Sequence, residues 1–154
     1  MGKNILFVCT GNTCRSAMAV YLAAKIAETQ FPDAGFCFDS AGVAAASGYP
    51  GSPEAVAVLR EKGIDMGNHA SKGFEGKMLA PSDYVVTMTA GHKRGILQAF
   101  PAAADKVFTL GELSGSNEDV QDPFCGSMET YRKTADFLER EICAMLEKLA
   151  EKKD

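Results

Sequence analysis

Apolar positions alternate between short continuous runs and helical stripes along the chain. Asn4 to Cys9 carries the unbroken run Ile5-Leu6-Phe7-Val8-Cys9, the pattern of a strand buried on both faces. A loop of Gly, Asn and Thr follows. From Ser16, the apolar positions Ala17, Val20, Ala24, Ala27 and Phe31 recur at intervals of 3, 4, 3 and 4. That predicts an amphipathic helix, ended by Pro32-Asp33. Phe36 to Asp39 reads as a second strand running into Ser40-Ala41-Gly42. Ser52-Pro53-Glu54 starts a helix with a cap, a proline in the first turn and an acid beside it, and Gly63 ends it. Ser71 to Leu79 is expected as a short helix. Tyr84 to Met88 is a third strand. Thr89 caps a helix to about Phe100, stopped by Pro101. Val107 to Leu110 is a fourth strand, and a polar, glycine-rich loop spans Gly111 to Gly126. Tyr131, Ala135, Leu138, Ile142, Met145 and Leu149 then form the clearest helical stripe.

Short strands separated by helices predict an α/β fold with three layers. Its centre is a four-stranded parallel sheet with right-handed crossovers and helices on both faces. Ligands bind such sheets at the carboxyl ends of the strands, so the loops after Cys9, Ser40, Met88 and Leu110 are the places to look. No repeat, linker or low-complexity tract interrupts the pattern, and 154 residues fit one domain over 1–154.

Composition narrows the partners. A formal charge of −4, from 16 basic and 20 acidic residues, argues against nucleic-acid binding through a general basic surface. It leaves room for one focused positive pocket. The first apolar run is too short for a membrane span or a secretory signal. Met1-Gly2 lacks the Ser or Thr that a myristoylation signal has where Leu6 stands. No membrane partner is expected, and the expected compartment is the cytoplasm, where thiols stay reduced. The five cysteines, Cys9, Cys14, Cys37, Cys125 and Cys143, show no disulfide framework. Each then reads as buried filler or as chemistry. No metal site is expected: Cys9 and Cys14 lack a second ligand pair, and the histidines, His69 and His92, are 23 positions apart. His92 reads as an exposed polar residue near a helix start.

The chemistry concentrates in Cys9-Thr10-Gly11-Asn12-Thr13-Cys14-Arg15-Ser16, between a strong strand and a strong helix. A strand-loop-helix turn aims successive backbone N–H groups at one point, and the helix dipole adds positive potential there. Arg15 supplies a planar fork for two oxygens of a phosphate. Cys9 lies at the floor of this cradle, and the field that holds an anion also favours the nucleophilic thiolate. A P-loop nucleotide site is the weaker reading, because no G-x-x-x-x-G-K-[ST] is present.

C-x-x-x-x-x-R-S directly after a buried strand resembles the low-molecular-weight protein phosphatases. The resemblance continues in Asp39-Ser40-Ala41-Gly42, in His69 before Ser71, and in Asp122-Pro123-Phe124, over nearly the whole chain. It implies a phosphocysteine intermediate on Cys9, with Arg15 on the phosphate oxygens. Ser16 would assist thiolate release, and Asn12, linked to Ser40 and His69, would hold the loop. Asp122 would be the general acid and then the base. Independently, expelling a leaving group from phosphorus needs a proton donor and then a base, and Asp122 lies in a loop at the sheet end where Cys9 lies. Phe124 would be an aromatic wall. Phosphorylated proteins are the implied partners and inorganic phosphate the product, with no cofactor. A monomer or weak homodimer is expected, with exposed aromatics such as Tyr49 available for weak association.

Thr13, with Phe124, matches the version of the motif seen in bacterial protein-arginine phosphatases. Tyrosine-specific members usually carry a bulky aliphatic residue there. Phosphoarginine is therefore the favoured substrate and phosphotyrosine the alternative. Ala17, Val20 and Cys125 depart from the family pattern, where proline, glutamate and glycine are common. Cys14 shares the loop with Cys9, which suggests a redox pair closing a disulfide. An arsenate reductase on the same scaffold would need a cysteine pair around residues 80–95, where none stands. A non-catalytic phosphoprotein-binding module would not need Cys9, Arg15 and Asp122 together.

Overall fold

The structure is a computed structural model that describes residues 3–152. Met1 and Gly2, on which the lipid-anchor argument turns, lie outside the described residues. The strands are β1 (Lys3–Cys9), β2 (Phe36–Gly42), β3 (Tyr84–Thr87) and β4 (Val107–Thr109). The helices are α1 (Arg15–Gln30), α2 (Pro53–Glu61), α3 (Ala90–Ala99), α4 (Leu110–Ser114) and α5 (Met128–Glu151). All strand pairs are parallel, in the order β2-β1-β3-β4. The expected three-layer α/β fold is therefore present.

Strand alternation divides the core. Ile5, Phe7 and Cys9 face the layer of α1, α2 and α5, whereas Leu6 and Val8 face the layer of α3. Successive side chains leave a strand on opposite faces, so slipping the register by one residue would exchange these two sets. The stripe predicted for α5, from Tyr131 to Leu149, is buried throughout. The chain leaves β1 for one face and β3 for the other. The crevice between their carboxyl ends is thus the topological switch point, where such sheets bind ligands. Ser52, Thr89 and Ser127 cap α2, α3 and α5 by accepting a backbone N–H. Each cap stabilises its helix by about 1 kcal/mol.

Four expectations need correction. The α1 stripe is displaced: Met18, Ala19, Leu22, Ala23 and Ile26 are buried, Val20 and Ala27 half-buried, and Ala24 exposed. Residues 17–24 are apolar on nearly every side, so spacing alone could not choose the face packed between sheet and α5. Ser71 to Leu79 is not a helix; only Gly76–Met78 makes a 3₁₀ turn. This segment instead runs beside the end of β2: Gly42 N–H donates to Lys72 O at 3.0 Å and Phe74 N–H to Gly42 O at 2.8 Å. The fourth strand stops at Thr109, and the expected loop opens with α4. Its signal was in the sequence, because Thr109 and Glu112 form a capping box. Gly111 obscured it; a Cβ there would stand 2.6 Å from Glu118 backbone atoms. Finally, Cys37 and Cys125 are exposed, so they are not buried filler. Among the described residues no helix is long and apolar enough to cross a membrane.

Candidate active site

The loop after β1 is shaped by what its carbonyl groups bind. Cys9 O accepts Val43 N–H at 2.9 Å, Thr10 O accepts Ala44 N–H at 3.0 Å, and Thr13 O accepts Ser52 N–H at 3.0 Å. Asn12 O accepts the His69 ring at 2.7 Å. A carbonyl only accepts, so His69 carries its proton on Nε2. In a trans peptide the N–H points opposite to the C=O. The N–H groups of Gly11, Thr13 and Cys14 therefore aim away from these partners, toward the cleft that the loop lines. A row of inward N–H groups is an anion cradle.

Asn12 holds the sharpest bend, with φ 58°. Asparagine tolerates this left-handed conformation when its side chain is hydrogen-bonded locally. Nδ2 donates to Ser16 Oγ at 2.8 Å and to Ser40 Oγ at 2.9 Å, and Oδ1 accepts Lys72 N–H at 3.0 Å. Gly42 permits β2 to approach: a Cβ there would lie 2.4 Å from Thr10 O and 3.0 Å from Asn12 N.

Cys9 ends β1 with 2% of its surface exposed. Its Sγ lies 2.9 Å from Ser16 Oγ. Because Ser16 Oγ already accepts from Asn12, its own hydrogen is free to donate to the sulfur. The other acceptor in range, Ala41 O, is farther at 3.5 Å. Helix α1 begins at Arg15 with no side-chain cap and no acid in its first turn, so its positive end stays open to the cleft. Arg15 is 6% exposed. Its Nη1 donates to Val120 O at 3.1 Å, and its Nη2 stands 3.6 Å from Asp122 Oδ2.

Asp122 comes from the loop before α5, and its side chain is 54% exposed. Oδ1 accepts Phe124 N–H at 3.0 Å, which fixes the carboxylate and leaves Oδ2 toward Arg15. Phe124 is 70% exposed, so it is not a core anchor. Cys125 follows in the left-handed region with φ 64°, a conformation easier for glycine. Cys9 to Arg15, Asp122 and Phe124 together line a cleft of about 240 Å³. The sequence-predicted residues thus converge: Thr13 and Phe124 both line the cleft, while Ser40 and His69 brace the loop from behind.

Cys14 lies behind the loop as well. Its Sγ is 3.3 Å from Tyr131 Oη and 3.5 Å from Ser52 Oγ. Burial first, and then the Cys14 contact, push the Tyr131 hydroxyl up to about 12. Among the described residues no group of three His, Cys, Asp or Glu is placed to hold a metal ion.

His92 is not the exposed polar residue that the sequence predicts. It is half-buried at the cleft edge, with Nε2 2.8 Å from Thr10 Oγ1 and Nδ1 3.0 Å from Thr89 Oγ1. Burial, and next the Arg15 cation, hold its pKa below the ordinary histidine value, against opposing pulls from Asp119 and Asp122. Asp119 was also missed; its Oδ1 accepts Ala90 N–H at 2.9 Å and ties the acid-bearing loop to α3. Both follow from one signal in the sequence: the segments that leave the carboxyl ends of β3 and β4 must lie at the same sheet end as Cys9.

Residues 4–154 match the model of the low molecular weight phosphotyrosine protein phosphatase family. The chain is 46% identical over 150 residues to a protein-arginine-phosphatase of Geobacillus stearothermophilus, covering 97% of each. It superposes on a YwlE arginine phosphatase mutant with a phosphorylated active-site serine at TM-score 0.92, with 40% identity and 97% of each chain covered. A low molecular weight protein tyrosine phosphatase from T. tengcongensis gives TM-score 0.90 at 40% identity, covering 95% of this chain and 99% of that one. A thiol on an anion cradle, a buried arginine beside it and a match along almost the full length make this chain a member of the low molecular weight phosphotyrosine protein phosphatase family.

Proposed function

We propose that this phosphatase removes phosphate from arginine side chains of proteins through a phosphocysteine on Cys9. The observation that carries the reading is Thr13, a small hydroxyl residue lining the same cleft as Phe124, in a chain whose near relatives include protein-arginine-phosphatases. In the first step, the Cys9 thiolate attacks phosphorus and the phosphorus–nitrogen bond breaks. Asp122 gives its proton to the departing guanidine nitrogen. In the second step, Asp122 takes a proton from water, the water oxygen bonds to phosphorus, and the sulfur–phosphorus bond breaks. Inorganic phosphate leaves. Arg15 and the loop N–H groups of Gly11, Thr13 and Cys14 hold the phosphoryl oxygens, where charge accumulates in both transition states. Ser16 donates to the sulfur as it departs. Asn12, with Ser40 and His69, keeps the loop in register. The enzyme works in the cytoplasm on phosphorylated proteins, as a monomer or weak homodimer.

Phosphotyrosine is the second reading, supported by the family match and by the T. tengcongensis relative. Thr13 decides between them. A hydroxyl there accepts or donates to a polar phosphoguanidinium, whereas an aliphatic side chain packs on a phenol ring. Side-by-side assays on phosphoarginine- and phosphotyrosine-containing proteins, with Cys9→Ser as blank, test this. Thr13→Ile should lower kcat/KM on phosphoarginine about tenfold and raise it on phosphotyrosine; one lost polar contact has that size. Faster wild-type release from phosphotyrosine would overturn the arginine reading and keep the mechanism.

The same loop supports a redox proposal, with Cys9 and Cys14 closing a disulfide under peroxide. Cys14 must first leave Tyr131 and Ser52, so oxidation should be slow to close and readily reversed by thiol. Peroxide-treated wild type should regain activity with dithiothreitol, and Cys14→Ser should regain clearly less. Equal recovery of the two proteins would remove Cys14 from the scheme.

A further inference from the structure

Outside the residues already assigned, His92 is hydrogen-bonded to Thr10, a residue that lines the cleft. Its hydrogen bonds have a direction. Thr89 Oγ1 accepts the His92 backbone N–H at 3.1 Å. Its own hydrogen is then available for Nδ1, 3.0 Å away. With Nδ1 accepting, the neutral ring carries its proton on Nε2 and donates it to Thr10 Oγ1 at 2.8 Å. Thr10 is in the cradle, and among the described residues its hydroxyl has no other hydrogen-bond partner. Its hydrogen is left to turn toward whatever acceptor fills the cleft.

We propose that His92 is a positioning residue of the phosphate site: through Thr10 it aims one hydroxyl donor at the bound phosphoryl group, and it takes up a proton when that group binds. The second half follows from the charges that face the ring. Arg15 on α1 opposes a proton on His92, while Asp119 and Asp122 on the acid-bearing loop favour it. Burial and Arg15 prevail over the two carboxylates. A bound phosphate neutralises Arg15 and adds negative charge beside the ring, which tips the balance. The protonated ring keeps both contacts. Nδ1–H then donates to Thr89 Oγ1, which turns its own hydrogen outward.

This inference rests on the phosphatase reading above but is tested through binding of inorganic phosphate alone. The chain has two histidines, so ring resonances are easily followed and His69 serves as the internal reference. Saturating phosphate should raise the His92 titration midpoint by about one pH unit. His92→Ala should weaken phosphate binding about tenfold at neutral pH. His92→Gln, which keeps a donor at the Nε2 position, should restore most of that. The ratio of wild-type to His92→Gln affinity should grow as pH falls through the His92 midpoint, while the ionisation of phosphate itself cancels. A His92 midpoint indifferent to phosphate in the wild type, or unchanged binding in His92→Ala, would overturn the proposal. A full His92 response in a protein that hydrolyses neither phosphoprotein would support it while sinking the phosphatase reading.

Discussion

Cys9→Ser is expected to abolish turnover, by a factor on the order of 10⁴ or more, while phosphate binding and thermal stability stay close to wild type. The substitution replaces one atom with a smaller one at a site 2% exposed. The cradle is built from Arg15 and from backbone N–H groups, none of which involves the sulfur. What disappears is the sulfur nucleophile, which needs no separate base to attack phosphorus once it is a thiolate. A serine there would need a general base within hydrogen-bond reach. The nearest side-chain partner, Ser16, cannot act as one. His69 cannot serve, because its Nε2 proton is committed to Asn12 O at 2.7 Å on the far side of the loop. Steady-state assays alongside phosphate titration check both halves. Residual turnover within tenfold of wild type would place the nucleophile elsewhere.

The phosphate loop was legible in the sequence because its chemistry is local. One strand end, five residues and one helix start carry the thiol, the bend and the arginine. The strands were legible for a similar reason, since residues 5–9 and 84–87 are too apolar to lie anywhere but inside a sheet. What the sequence hid depends on distant partners. The face of α1 is chosen by α5, more than a hundred residues away. Residues 71–75 have helical composition in part, yet the carboxyl end of β2 recruits their backbone. His92 looked like a surface group because its partners, Thr10 and Arg15, are remote in the chain and near only through the pairing of β1 with β3. The Val120 carbonyl that holds Arg15 has no side-chain signature at all.

Asp122→Asn separates the two jobs assigned to that carboxylate, and its effect should depend on the leaving group. The amide keeps an oxygen for Phe124 N–H, now 3.0 Å from Oδ1, and the site is largely exposed, so stability should change little. On phosphoarginine the first step suffers most. A neutral guanidine leaves phosphorus readily only if its nitrogen is protonated as the bond breaks. Losing the acid should therefore cost roughly 10²–10⁴ in kcat, with no phosphoenzyme accumulating. An aryl phosphate such as para-nitrophenyl phosphate behaves differently, because nitrophenolate departs without a proton. The first step then stays fast while the second lacks its base, and phosphocysteine builds up. Rapid-mixing experiments should show a burst of nitrophenolate equal to the enzyme concentration, followed by slow turnover. Equal losses on both substrates with no burst would show that Asp122 serves only to brace Arg15, 3.6 Å away. A burst with the aryl ester and none with phosphoarginine would require one carboxylate acting as acid and then as base, in a site whose slow step is set by how badly the leaving group needs a proton.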